Sequence, residues 1–220
     1  MKIGVFDSGL GGKTVLREIE KILPNEEYYY IADSENCPYG EKSDEELKEI
    51  VTKNTEELKA WGAKIIVIAC NTATTKCINY LREKYPELKF VGTEPAIKLA
   101  ANTNAKNILV MATPGTIASE RTKSLLKEYQ KENQNITLLA CPGLADTIES
   151  FYVALDADNS FLIRKKLHEL LDGQPEPDVV VLGCTHYSLV KPDIQAIFPN
   201  AKLVDGNEGV ARRVQSLLQQ

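Results

Sequence analysis

Long hydrophobic runs are missing from this chain: no apolar stretch approaches the ~20 residues that a membrane-crossing helix needs. The opening Met-Lys-Ile-Gly-Val-Phe-Asp reads as a strand rather than a basic segment followed by an apolar one, so no signal peptide is expected. Basic clusters are missing as well. The lysines of 76–89 and 122–131 alternate with glutamates, as on a solvated helix surface. With 26 Lys and Arg against 31 Asp and Glu, the net charge is −5, which argues against a nucleic-acid partner. No C-x-x-C pair occurs among the five cysteines, 37, 70, 77, 141 and 184, so neither a zinc site nor a redox dithiol is indicated. Free thiols in odd number, without an export signal, fit a reducing cytoplasm.

What is present is ordinary in bulk. Hydrophobic residues at 43% and charged residues at 26% supply both a core and a solvated surface. A chain of 220 residues can bury that core without disulfides, as one large domain or two small ones.

Short apolar runs alternate with longer amphipathic ones. Strands are expected at 2–6, 28–32, 64–69 and 89–93, with helices at 13–22, 44–60, 73–84 and 95–101 between and after them. Ser43 and Glu46 make a capping box for the second helix. Lys64-Ile-Ile-Val-Ile-Ala69 is apolar on both faces and belongs inside a covered parallel sheet. The pattern then restarts, with strands at 106–111, 136–140, 178–182 and 202–205. Helices are expected at 116–131, within 143–172, near 191–197 and at 208–218. Such alternation means βαβ units and parallel sheets. Residues 2–9 echo 106–115, and 64–72 echo 178–186, each at about half the chain length. Buried parallel strands resemble one another in any case; the sharper reading is two similar α/β lobes.

Ligands of open α/β sheets bind beyond the carboxyl ends of the strands, and four loops at such ends carry unusual polar residues. Asp7-Ser8-Gly9-Leu10-Gly11-Gly12 can turn sharply and approach an anion closely, although its glycine spacing is not that of a nucleotide loop. A tight turn with no ligand is the plainer reading, but Asp7 is out of place at the end of a core strand. Asp33 to Gly40, followed by Lys42 and Ser43, reads either as a rigid connector or as a pocket wall carrying Tyr39. The third and fourth loops, Ala69-Cys70-Asn71-Thr72-Ala73-Thr74 and Gly183-Cys184-Thr185-His186, each place one cysteine after an apolar strand and before a helix. A helix N-terminus lowers a thiol pKa and makes the sulfur reactive. One such thiol would be a nucleophile, with His186 as its base. Two in matching loops point to another chemistry: racemising an α-carbon takes a proton from one face and returns one to the other. Metal binding and coincidence remain as other readings of the pair. Cys37, Cys77 and Cys141 read as small buried hydrophobes, and His168 as solvated surface.

Taken in order, IGVFDSGLGG, ADSENCPYGEKS, ACNTAT, GTEPAIK, ATPGTI and GCTHYSLVKP resemble the glutamate racemases of the aspartate/glutamate racemase superfamily, from residue 3 to about 214. The resemblance implies two pseudo-symmetric lobes, each a mostly parallel sheet flanked by helices, with the active site in the cleft between them. The lobes are expected at 1–94 plus 207–220 (the Cys70 side) and 95–206 (the Cys184 side). It implies no cofactor, metal or nucleotide, a small-molecule substrate (L- or D-glutamate), a cytoplasmic enzyme, and a supply of D-glutamate for peptidoglycan. A homodimer is left open.

By the same resemblance Cys70 and Cys184 are the catalytic thiols, assisted by Asp7 and His186. Cys70 is expected to deprotonate the D form and Cys184 the L form. Asp7, Ser8, Tyr39, Gly40, Asn71, Thr72, Thr185 and His186 match substrate-binding positions; Asp33 and Glu149 match acids near the site. Residues 143–150 are less typical of the family, and the family usually continues through a further helical segment beyond the point corresponding to Gln220. Three alternatives stand beside this reading: an aspartate racemase, an amino-acid-binding member without turnover, and a Cys184–His186 hydrolase that would not need Cys70.

Overall fold

The computed structural model describes residues 1–154 and 160–219. They form two compact units, Met1–Glu94 with Gly206–Gln220, and Pro95–Asp205.

The first unit contains β1 (Lys2–Asp7), α1 (Lys13–Ile22), β2 (Glu27–Ala32), α2 (Asp44–Trp61), β3 (Ile65–Ile68), α3 (Asn71–Lys84) and β4 (Lys89–Gly92), and it is completed by α10 (Asn207–Leu218). Its four strands are all parallel, in the order β2-β1-β3-β4. The four residues of β3 are buried without exception, which is why an unbroken Ile-Ile-Val-Ile run occupies this interior position. Ile3, Val5, Ile65 and Val67 pack with Val15 and Ile19 of α1 and Val210, Ala211 and Val214 of α10. Phe6, Ile66 and Ile68 pack with Leu47, Val51 and Leu58 of α2 and Cys77 and Leu81 of α3. Successive residues of a strand point to opposite faces, so alternate residues serve the two layers. The Ser43–Glu46 capping box starts α2, and Gly62, at φ 99°, ends it. Caps of this kind are worth ~1 kcal/mol.

The second unit contains α4 (Ile97–Ala101), β5 (Asn107–Ala112), α5 (Pro114–Ala118), α6 (Glu120–Tyr129), β6 (Asn135–Ala140), α7 (Leu144–Ala154), α8 (Ser160–Leu171), β7 (Val179–Leu182), α9 (Lys191–Ile197) and β8 (Lys202–Val204). Its parallel strands run in the order β6-β5-β7-β8, the same connectivity as the first sheet. The sequence echo therefore has a structural meaning: β1 matches β5, and β3 matches β7.

Two helices stand out as departures from the sequence expectation. The single helix expected at 116–131 is two, α5 and α6, because the Ser119 hydroxyl accepts the Thr122 amide at 3.2 Å and caps a new start. Short hydroxyl side chains compete for backbone groups in this way. Helix α3 begins at Asn71 rather than 73, which makes Cys70 its N-cap residue. The helical stretches expected within 143–172 are present as α7 and α8; residues 155–159 lie outside the described residues. Among the described residues, no helix is long and apolar enough to cross a membrane.

Candidate active site

Cys70 stands where β3 hands over to α3. Its carbonyl accepts the Thr74 amide at 2.9 Å. The Thr74 hydroxyl bonds the Ile68 carbonyl at 3.1 Å and accepts the Thr93 amide at 3.0 Å, which pins the start of α3 to two strand ends. The Ser8 hydroxyl lies 3.8 Å from the Cys70 sulfur. Beside it, the wholly buried Asp7 accepts the Gly12 amide at 2.6 Å through Oδ2. Through that bond, one oxygen of this carboxylate closes the turn from β1 into α1. Gly12 is needed there, since a Cβ would stand 2.5 Å from Asp7 Cβ and 2.7 Å from the Tyr30 hydroxyl. Asn71 and Thr72 follow Cys70 in the first turn of α3 and are buried.

The loop after β2 lies next to this centre. The Asp33 amide extends the β1–β2 ladder to the Asp7 carbonyl at 2.9 Å. Two short 3-10 turns follow, Ser34–Asn36 and Tyr39–Glu41. The second contains Tyr39, which is buried in the same cluster as Phe6 and Cys70, and the half-buried Gly40. The Tyr39 hydroxyl donates to Asp33 at 2.6 Å and accepts from Asn54 of α2 at 3.0 Å. Burial first, and the Asp33 carboxylate second, hold this phenol well above the usual tyrosine range. Asn54 was not singled out from the sequence. Its signal is a carboxamide on the apolar stripe Leu47, Val51, Asn54, Leu58.

In the second unit, Cys184 follows β7 and Gly183. A Cβ on Gly183 would stand 2.8 Å from the Met111 carbonyl oxygen, so only glycine fits at this strand end. A 3-10 turn, Thr185–Val190, buries Thr185 and His186. His186 Nδ1 lies 3.8 Å from the Cys184 sulfur. Its Nε2 lies 2.7 Å from the Glu149 carboxylate, which α7 brings in from 37 residues away. The result is a buried series of carboxylate, imidazole and thiol. The sequence alone left the location of Glu149 open; the structure puts it on His186.

The sheet registers give the two thiols equivalent positions. Ser8 and Cys70 each stand two residues beyond the paired Phe6 and Ile68. Thr113 and Cys184 each stand two residues beyond the paired Met111 and Leu182. Thr113 is thus the positional counterpart of Ser8, a residue that the echo of 2–9 with 106–115 already contained.

The remaining thiols differ. Burial raises Cys77 to about 11, and burial with the neighbouring Cys184 raises Cys141 to about 12. Both are core side chains. Cys37 is half-buried, and His168 is exposed beside Asp172 at 3.0 Å. Among the described residues, no group of three or more His, Cys, Asp or Glu could hold a metal ion.

The Asp/Glu/Hydantoin racemase family matches residues 3–214. A glutamate racemase of Ectopseudomonas mendocina is 44% identical over 99% of this chain and 82% of its own length. One from Clostridium novyi is 41% identical over 96% of this chain and 81% of its own. Among solved structures, Escherichia coli glutamate racemase in complex with L-glutamate and the activator UDP-MurNAc-Ala superposes with a TM-score of 0.90, at 32% identity, over 100% of this chain and 82% of the other.

Proposed function

The chain belongs to the Asp/Glu/Hydantoin racemase family, and on that premise we propose that it is a cofactor-independent glutamate racemase using Cys70 and Cys184 as its two acid/base groups. The observation that carries this reading is the matched placement of the thiols. Each stands two residues past the last paired residue of equivalent strands in two sheets of one connectivity. Glutamate is the substrate by the names of the relatives at 44% and 41% identity and by the L-glutamate in the Escherichia coli complex.

In the forward direction the Cys184 thiolate takes the α-proton of L-glutamate: the Cα–H bond breaks and an S–H bond forms. The Cys70 thiol gives its own proton to the opposite face, forming the Cα–H bond of D-glutamate and leaving a thiolate. The reverse reaction exchanges the roles. His186, held by Glu149, takes or returns the Cys184 proton; Asp7 and Ser8 serve Cys70. Thiolates are modest bases for so weak a carbon acid, so the carbanion-like transition state needs electrostatic support. Donors at the strand ends supply it, with Asn71, Thr72 and Thr185 on the substrate carboxylate. One well-aimed donor is worth roughly 3 kcal/mol. Asp7 is assigned the substrate ammonium. Tyr39 and Gly40 complete the binding set. The reaction is assigned to the cytoplasm, where thiols stay reduced, and its D-glutamate product to peptidoglycan.

The direct test is polarimetry of L-glutamate with purified protein and nothing added, with parallel arms for D-glutamate and both aspartate enantiomers. Decay of rotation to zero for glutamate is expected. No change with glutamate would overturn the proposal, and faster turnover of aspartate would reassign the substrate.

A further inference from the structure

Asn54 is a buried polar side chain that the mechanism above does not use. Asn54 projects from the apolar stripe of α2 and is 5% exposed. Its amide nitrogen lies 3.0 Å from the Tyr39 hydroxyl and 3.5 Å from Asp33 Oδ2. A phenol has one hydrogen to give and a limited capacity to accept. In Tyr39 the hydrogen goes to Asp33 Oδ2 at 2.6 Å, and the oxygen takes the Asn54 donor. Asp33 is committed in turn: Asn36 donates to its two oxygens at 2.8 and 3.1 Å. The ring itself is only 1% exposed.

We propose that Asn54 is a positioning residue for substrate binding: with Asp33 it holds the Tyr39 hydroxyl, so that the main chain of the Tyr39–Gly40 turn, rather than the phenol, meets the substrate. This rests on the glutamate racemase reading. Gly40 has no side chain to keep a ligand from the backbone, and it is half-buried where Tyr39 is enclosed. Asp33 then acts as an anchor for the turn and not as a base on the substrate. Lys76 secures the far side of the same turn, with its ammonium 3.3 Å from the Lys42 carbonyl and 2.8 Å from Asp44.

The experiment is a double-mutant cycle of Asn54→Ala and Tyr39→Phe, read as KM and kcat for L- and D-glutamate. Asn54→Ala should raise KM for both enantiomers on the order of tenfold, the scale of one lost buried hydrogen bond, with little change in kcat. In the Tyr39→Phe background the same substitution should raise KM no further, because the group through which it acts is gone. Asn54→Leu, which continues the apolar stripe without a donor, should repeat the KM effect if the alanine variant does not fold. Additive effects, or a fall in kcat at unchanged KM, would overturn the role of Asn54 while wild-type racemisation stands. Absence of racemisation by the wild type would remove both proposals.

Discussion

The Nε2 nitrogen of His186 sits 2.7 Å from a Glu149 oxygen, and the two side chains are 1% and 9% exposed. In the proposed mechanism the Glu149 carboxylate accepts the Nε2 hydrogen, which leaves Nδ1, on the Cys184 side, to exchange a proton with the thiol. Glu149→Gln and His186→Asn should each lower kcat by about 10²-fold or more, the usual scale of a positioned acid/base group. The effect on kcat should be larger from L-glutamate than from D-glutamate. The ratio kcat/KM must still fall equally in both directions, because a racemisation has an equilibrium constant of unity. Initial rates from each pure enantiomer check this. Losses confined to KM would make both residues substrate binders.

Cys70→Ala and Cys184→Ala should each abolish racemisation and leave the circular dichroism spectrum unchanged. In the proposed mechanism each thiol serves one face of the α-carbon, so neither replaces the other. Turnover above a few per cent of wild type in either variant would refute the two-base assignment.

Isotope exchange tests the route of the proton. In D₂O the donor thiol is deuterated before the substrate arrives, so D-glutamate formed early from L-glutamate should carry deuterium at the α-carbon. Recovered L-glutamate should remain protiated at low conversion, since the abstracting thiol tends to return the proton it has just taken. Starting from D-glutamate should give the mirror result. Mass spectrometry after chiral separation measures both. Substantial protium in the early product would indicate a single base swinging between faces.

The core thiols give a pH prediction. Cys77 and Cys141 are raised to about 11 and about 12 in the folded chain, against ~8.5 for an unfolded cysteine. Below that unfolded value both states hold the proton and stability is unaffected. Above it the unfolded chain ionises first, so the folded state binds more protons and stability falls as pH rises toward 11–12. Thermal melting between about pH 8 and pH 10.5 should show a steep loss of Tm, shallower in Cys141→Ala than in wild type. An identical slope in the variant would contradict the raised thiol.

The strands and the two thiol loops were legible because their signals are local. Buried parallel strands read as unbroken apolar runs, and a cysteine beside small polar residues after such a run marks a strand end. Relations between distant segments were harder. Glu149 reaches His186 only because α7 packs against the turn after β7, which no spacing rule encodes. Asn54 carried a readable sign, one amide on an apolar stripe, but its partner Tyr39 belongs to a loop whose path depends on tertiary bonds. The split of 114–129 into two helices turned on one hydroxyl at Ser119, a choice that periodicity does not register. A carboxylate at the end of a core strand makes Asp7 odd by sequence, but its bond to Gly12 depends on the glycine turn that closes around it.

The chain leaves the first unit at Glu94 and returns to it at Gly206. For a protein made from its N-terminus onward, this sets an order of completion. The unit holding Cys184, Glu149 and His186 is contiguous and has its whole core by Asp205. The unit holding Cys70 has all its strands by Gly92, yet the sheet face on which Val15 and Ile19 of α1 pack is completed only when Val210, Ala211 and Val214 of α10 arrive. During synthesis, the half that is begun first is finished last. Domains generally fold as units as they emerge, so the part of this face beside α1 waits, apolar and uncovered, for α10.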